Sequence, residues 1–395
     1  MTGTASERKV VLRTVFYIEG YDPRGPQHYH RLYRDEAAKQ AQVNGLAVTV
    51  GARRRIDEVT HAWDVETAGT RTSYRFLRYD DLMRQRWSRG TLAVLGDIVR
   101  YSKAFLLRGV FLKTLRISWT MLITILLAPS LLLLALLISL AAGGIVAAFA
   151  PWYAGALITA CGFIGLVMLR PIIEPRFAAF WLARICAFIS DQGSGLVPHM
   201  EERIKEFASR IAAEVKRAEA DEVLVAGHSV GTHVGVAVCA EVLRLLSDEQ
   251  RTFSFLTLGH TIPLLGLQPQ AHEFRKDLQR VSEDPRITWI DVSAAIDGAC
   301  FPLTDPVSAC GLKQADPDKP SPKIVSARFS KLFTPETYKK LRRDFARAHF
   351  QYLMAAELPG DYDYFLITAG DMTLGQRFAH LKSVTGFNRF RLGRS

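Results

Sequence analysis

VLVAGHSVGTHVG, residues 223–235, decides how the chain is read. Val223, Leu224, Val225 and Ala226 form a short apolar run, as a strand buried on both faces requires. Gly227-His228-Ser229-Val230-Gly231 follows and fits the pattern G-x-S-x-G. Residues 232–246 then read as a helix. A serine at such a strand-to-helix turn is held out from the backbone, near the positive end of the helix. Gly227 and Gly231 lack Cβ atoms, so the chain can turn sharply and the flanking elements can pack closely. The Val230 N–H points to where negative charge develops when a serine oxygen attacks a carbonyl. The pentapeptide alone is a weak signal; its place between a buried strand and a helix gives it weight.

Working outward, residues 200–218 form an amphipathic helix before this turn, with Ile204, Phe207, Ile211 and Val215 on one face. Residues 253–258, 286–292 and 324–329 are the strands after it. Near the N-terminus, 10–18 (VVLRTVFYI) reads as a buried strand, 27–43 as a helix, and 47–50, 59–66 and 72–79 as further strands. Strands alternating with helices imply a mostly parallel sheet with helices on both faces. Neither group of strands suffices alone, so one domain is expected, in two parts: 1–112 and 176–395.

The interruption, 113–175, is the second strong signal. Positions 117–169 hold no charged residue, 53 in a row. One membrane span needs about 20 residues, so this run fits two spans and a turn. The spans are expected at 119–140 and 153–172, with the reversal at 141–152 (AAGGIVAAFAPW). Pro129 falls inside the first span. Arg84, Arg86, Arg89, Arg100, Lys103, Arg108, Lys113 and Arg116 precede the hairpin against a single acid, Asp97. Arg170, Arg176 and Arg184 follow it. Positive flanks stay on the cytoplasmic side, which places both soluble parts there. Residues 92–115 and 177–189 mix basic and aromatic residues, as helices in the headgroup layer or core-facing helices would.

The formal net charge of +11 fits a nucleic acid or an anionic membrane surface. No zinc-finger spacing, aromatic RNA-binding box or Lys/Arg-rich run is present, so the membrane is the expected partner and nucleic acid is not. Cys161, Cys186, Cys239, Cys300 and Cys310 show no metal-site spacing and read as free thiols. The first 16 residues lack an apolar core, so no cleaved secretory signal is expected. Arginine outnumbers lysine, compatible with a GC-rich bacterial source and hence a bacterial inner membrane.

VLVAGHSVGTHVG resembles the nucleophile elbow of the α/β-hydrolases, lipases and esterases in particular. The order of elements is similar over most of the soluble sequence, although only the elbow is highly specific. The resemblance implies an α/β-hydrolase-like sheet, here interrupted by a two-helix transmembrane hairpin. It implies Ser229 as nucleophile, followed in the chain by an acid and then a histidine. Asp297, just past strand 286–292, is the preferred acid, with Asp291 and Asp305 as alternatives. His349, in RAHFQYLM, resembles the histidine segment of some lipases; His380 is the alternative. His349 lies 20 residues past strand 324–329, a departure from the compact family pattern. His260 and His272 precede the acid and are out of order; His228 reads as structural. A second oxyanion donor is implied after strand 10–18, at Gly20 or Tyr21, although Glu19-Gly20 stands where the family has His-Gly.

The chemistry implied is acyl transfer through a covalent serine intermediate, needing no metal or organic cofactor. The expected substrate is a lipid-like acyl ester at the cytoplasmic membrane face. The same residues suit acyl transfer to an alcohol, or cleavage of a thioester or amide. A catalytically silent membrane scaffold is the reading from another class.

Overall fold

The computed structural model describes residues 9–174, 178–246, 250–316 and 321–384. Arg176 and Phe177, read above as part of the hairpin's flank, lie outside the described residues. Nine strands form one sheet: β1 (Leu12–Ile18), β2 (Thr49–Val50), β3 (Arg54–Arg55), β4 (Thr60–Glu66), β5 (Arg71–Leu77), β6 (Glu222–His228), β7 (Phe253–Leu258), β8 (Ile287–Ser293) and β9 (Lys323–Ser326). Their order is β2-β4-β5-β1-β6-β7-β8-β9, with β3 also on β4. From β5 to β9 every pair is parallel. β4 runs antiparallel to β5, and β2 and β3 run antiparallel to β4. The fold is therefore α/β, with a mostly parallel mixed sheet and helices around it.

β6 and β7 are buried along their whole length, which their mostly apolar sequences EVLVAGH and FSFLTL permit. Side chains alternate between two cores. Phe16, Ile18, Val225 and Phe255 face helices Ala179–Gln192, Met200–Arg217 and Gly231–Leu245. Val15, Tyr17, Leu224 and Leu256 face helices Pro26–Asn44 and Tyr364–Ala369. The last strand is shorter than its sequence implies. It stops at Ser326, and Phe329 opens the short helix Phe329–Leu332.

β1 precedes the apolar hairpin and β6 follows it, yet they pair directly from Arg13↔Glu222 to Ile18↔Gly227. The first pair is ionic. Arg13 Nε donates to Glu222 Oε2 at 2.8 Å, with both side chains buried. Arg13 Nη1 and Nη2 donate to the carbonyls of Gly370 and Met372 at 2.6 and 2.5 Å. Glu222 Oε1 accepts from the Ser254 hydroxyl and the Leu374 N–H, both at 2.7 Å.

Two helices, Trp119–Phe149 and Trp152–Ile172, are long and apolar enough to cross a membrane. The first has 31 residues. At 1.5 Å per residue it is ~46 Å long, against ~30 Å of bilayer hydrocarbon. The surplus of ~16 Å is about ten residues. It matches the helix base, where Met121, Thr124, Ile125 and Ala128 are buried in the domain. From Leu133 onward large apolar side chains are exposed.

One expectation needs correction. The reversal does not occupy 141–152; the first helix runs through Gly143 and Gly144 to Phe149, leaving Ala150 and Pro151 for the turn. Gly143 and Gly155 serve packing between the two helices. A Cβ on Gly143 would lie 2.5 Å from the Gly155 carbonyl, and one on Gly155 would lie 2.7 Å from Ala147 Cβ. Of the two readings left open for 177–189, the core-facing one fits helix Ala179–Gln192, most of whose side chains are buried in the core. Its hydrophobicity reflects burial between the sheet and helix Thr91–Leu107. That helix and Val110–Ile117 bury Ile98, Tyr101 and Phe105 while exposing Leu92, Val99, Leu106, Leu107 and Leu112. Part of the basic flank is also structural: Arg86 pairs with Asp191, and Arg108 donates to Gln268 at 2.6 Å.

Removing one partner of a buried pair leaves the other uncompensated, which costs about 3–5 kcal/mol. Arg13→Ala is expected to lose that much stability and Glu222→Gln distinctly less. Unfolding of the detergent-solubilised chain, followed by circular dichroism, checks both. Equal and small effects would mean that the pair does not lock the two halves.

Candidate active site

β6 ends at His228, and helix Gly231–Leu245 begins two residues after Ser229. Ser229 sits at φ +55°, in the left-handed region. That conformation costs an L-residue about 1–3 kcal/mol and persists only where the surroundings impose it. Here they do. The Ser229 N–H donates to Leu258 O at 2.9 Å, and its carbonyl accepts from the Thr232 N–H and hydroxyl at 3.0 and 2.6 Å. Close packing requires the flanking glycines. A Cβ on Gly231 would meet the carbonyl oxygens of Ile18 and Glu19 at 2.3 and 2.4 Å. A Cβ on Gly227 would meet Gly231 O at 2.7 Å.

The loop after β1 presses against this turn. A Cβ on Gly20 would lie 3.0 Å from Ser229 Cβ. Among the described residues, the N–H groups of Gly20, Tyr21 and Val230 donate to no protein acceptor. All three belong to the segments that meet at Ser229. The Tyr21 ring is clasped between Trp87 and Phe188 at 5.6 and 4.7 Å. Its carbonyl accepts from Trp181 Nε1 at 3.3 Å.

The histidine comes from helix Phe345–Phe350, whose N-terminus is capped by Asp344. His349 Nδ1 lies 2.9 and 3.1 Å from the two Asp297 carboxylate oxygens. Both side chains are buried. Asp297 Oδ2 also accepts from Tyr352 Oη at 3.0 Å, and Oδ1 from the Ala299 N–H at 2.9 Å. Burial alone would raise the Asp297 carboxyl. The charge of His349 and the hydrogen bonds from His349 and Ala299 outweigh it, and hold the group below its ordinary range.

Ser229 and His349 line one small chamber of ≈20 Å³, together with Thr261, Ala299 and Trp181. Among the described residues, no hydrogen bond joins the Ser229 hydroxyl to the imidazole. Such contacts are often long before substrate binds and tighten with it. Part of the chamber's wall was not foreseen. Met121, Thr124 and Ile125, from the base of the first apolar helix, line it. Thr124 Oγ1 donates to Gly298 O at 2.7 Å, next to Asp297.

The alternatives go elsewhere. Asp291 is buried in β8, accepts from Thr257 Oγ1 at 2.6 Å and lies 3.9 Å from His260. Asp305 caps the short helix Pro306–Ala309. His380 is exposed and lies 3.4 Å from Asp361. His228, read from sequence as structural, has a definite task. Its Nε2 donates to the His349 carbonyl at 2.9 Å, and the two rings stand 4.8 Å apart. Tyr352 was quoted beside His349 but given no role. Its position three residues on, on the same helical side, was the available signal.

Among the described residues, no group of three or more His, Cys, Asp or Glu side chains is placed to hold a metal ion. No family model, curated protein or solved structure matches the chain.

Burial drives His228 and His233 from 6.5 down to about 3, with neighbouring histidines adding to it. Between those values the unfolded chain binds more protons, so stability rises with pH across that window. It is fully present above about 6.5 and is lost as pH falls toward 3. Asp297, depressed in the folded state, acts with the same sign. Melting temperatures of the solubilised chain should fall steadily over this range, and His233→Gln should flatten part of the slope. A flat profile would contradict the buried neutral histidines.

Proposed function

We propose that the chain is a membrane-anchored serine hydrolase that cleaves carboxylic esters of lipid character. Ser229 is the nucleophile, His349 the base and Asp297 the group that orients it. One conjunction carries this reading: a serine held at φ +55° shares its chamber with an imidazole bonded to a buried carboxylate.

The steps follow from the geometry. With Nδ1 facing Asp297, His349 offers Nε2 to the chamber. That nitrogen takes the Ser229 proton as Oγ attacks the ester carbonyl carbon. The carboxylate keeps the ring in the tautomer this requires and stabilises its cationic form. Negative charge on the carbonyl oxygen is met by the Val230 N–H and by an N–H of Gly20 or Tyr21, none of which donates to an acceptor among the described residues. The alcohol leaves with the proton from His349. Water, deprotonated by the same nitrogen, then releases the acid and restores Ser229.

The lipid part of the proposal rests on the hairpin. Thr124 in the chamber wall and Leu133, among the exposed leucines, stand nine residues apart on one helix. That is ~14 Å along the axis, so the reacting atoms lie close beneath the bilayer. The basic flanks support a cytoplasmic face, at the inner membrane if the source is bacterial. Acyl transfer to an alcohol and cleavage of a thioester or amide use the same residues and are distinguished by product analysis.

Membranes containing the chain should label with a fluorophosphonate probe, and the Ser229→Ala variant should not. Asp297→Asn should lower kcat by up to about 10⁴-fold with the fold intact, because the imidazole then holds the wrong tautomer. Undiminished labelling of Ser229→Ala would refute the nucleophile assignment. Absence of labelling in the wild type would favour the silent scaffold. Separately, the chain should survive a carbonate wash in the membrane fraction, with terminal reporters on the cytoplasmic side. A reporter on the outer side would reverse the orientation.

A further inference from the structure

A chamber of ≈20 Å³ holds about one water molecule and no ester. Sites for small organic ligands occupy roughly 300–1,000 Å³. If Ser229 reacts, its chamber must therefore join a larger space. Two of the larger depressions, around Arg275 and around His199, share no lining residue with it. A groove of ≈570 Å³ does share one, and that residue is Trp181.

Trp181 thus borders both spaces. Its ring is 6.4 Å from His349 and stacks on Phe350 at 6.3 Å. Its indole N–H is tethered to the Tyr21 carbonyl by one 3.3 Å hydrogen bond, a contact long enough to give way. On the far side of the ring the groove is apolar, lined by Leu32, Trp87, Phe350 and Met354. Its rim carries Arg24 and Arg347 against Asp22 and Asp344, two charges of each sign. Arg24 is already paired with Asp22 at 2.6 Å and lies over the Phe350 ring. Burial and the nearby Arg24 lower the His28 pKa, which keeps that ring neutral near pH 7. The balance of charge disfavours an anionic headgroup and leaves hydrocarbon as the matching chemistry.

We propose that this groove binds a hydrocarbon chain of the ester substrate and that displacement of Trp181 joins it to the Ser229 chamber. The inference rests on the hydrolase reading above and specifies where its substrate lies. The chain could belong to the acyl or to the alcohol side of the ester, and the chemistry of the groove is the same for both.

Two measurements on the full-length, detergent-solubilised chain test it. In the first, Ser229→Ala protein is irradiated with a long-chain alcohol bearing a terminal diazirine, and the adducts are mapped by mass spectrometry. Labelling of the peptides that hold Leu32 and Met354 is expected; labelling confined to the two apolar helices would overturn the groove. Because this readout needs no nucleophile, the groove can stand or fall separately from the hydrolase reading. In the second, Ala346→Phe narrows the groove from its exposed wall. Turnover of dodecyl acetate or of ethyl dodecanoate should fall about ten-fold, the effect of roughly two methylenes losing apolar contact. Ethyl acetate should be unaffected. Whichever long ester responds identifies the side of the ester that the groove holds. An equal fall for all three esters, or no fall for either long one, would refute the proposal.

Discussion

Arg13 and Glu222 meet across 209 residues, and the pairing of β1 with β6 that they begin holds the rest of the structure in place. Closing so long an interval costs chain entropy, although that cost grows only slowly with length. The pairing offsets it with a buried ion pair, a parallel ladder and the cores on either side. Its register has a further consequence. With Ile18 opposite Gly227, the segments that continue both strands arrive together, Gly20 against Ser229 and Glu19 against Gly231. A slip of one residue would put side chains where only hydrogen atoms fit. The strained serine and the unpaired N–H groups beside it are products of that register.

The inserted hairpin is consequently more than a tether. The residues between β1 and β6 include helices that pack on the sheet, and the first apolar helix spends its first turns inside the domain before it is exposed. Met121, Thr124 and Ile125 therefore belong to the chamber as much as to the first apolar helix. One helix carries both the wall residues and the exposed apolar stretch, with Pro129 between them.

Much of this was legible in the sequence, for a physical reason. Glycine on both sides of a serine, after a run buried on both faces, leaves few alternatives, and the strands near the turn fall where their residues place them. The hairpin was legible from its 53 uncharged positions, but its turn was not. Gly143 and Gly144 have the composition of a reversal, and only the facing helix shows that Gly143 serves close packing against Gly155. Helix Ala179–Gln192 could not be assigned to headgroup layer or core from sequence, because membrane and core reward the same apolar side chains. The acid could not be chosen among Asp291, Asp297 and Asp305 from order alone. Loop trajectory decides which carboxylate reaches the imidazole, and that trajectory is set by distant packing. Trp181 and Met121 gave no local signal, since lining a chamber leaves no periodicity.

The wide spacing between β9 and His349 loses its difficulty once the contacts of His228 are considered. A backbone carbonyl only accepts, so the His228 nitrogen facing the His349 carbonyl must carry the proton. Burial keeps the ring neutral, with its pKa down to about 3, so that single proton stays on Nε2. The residue before Ser229 is thus bound to the backbone of His349. On the other side, Tyr352 and Asp297 fix its imidazole. Ser229 and His349 are held to one strained turn by contact, so the length of chain between β9 and the histidine is free to vary. Position relative to the elbow, rather than distance along the sequence, is what the chemistry requires.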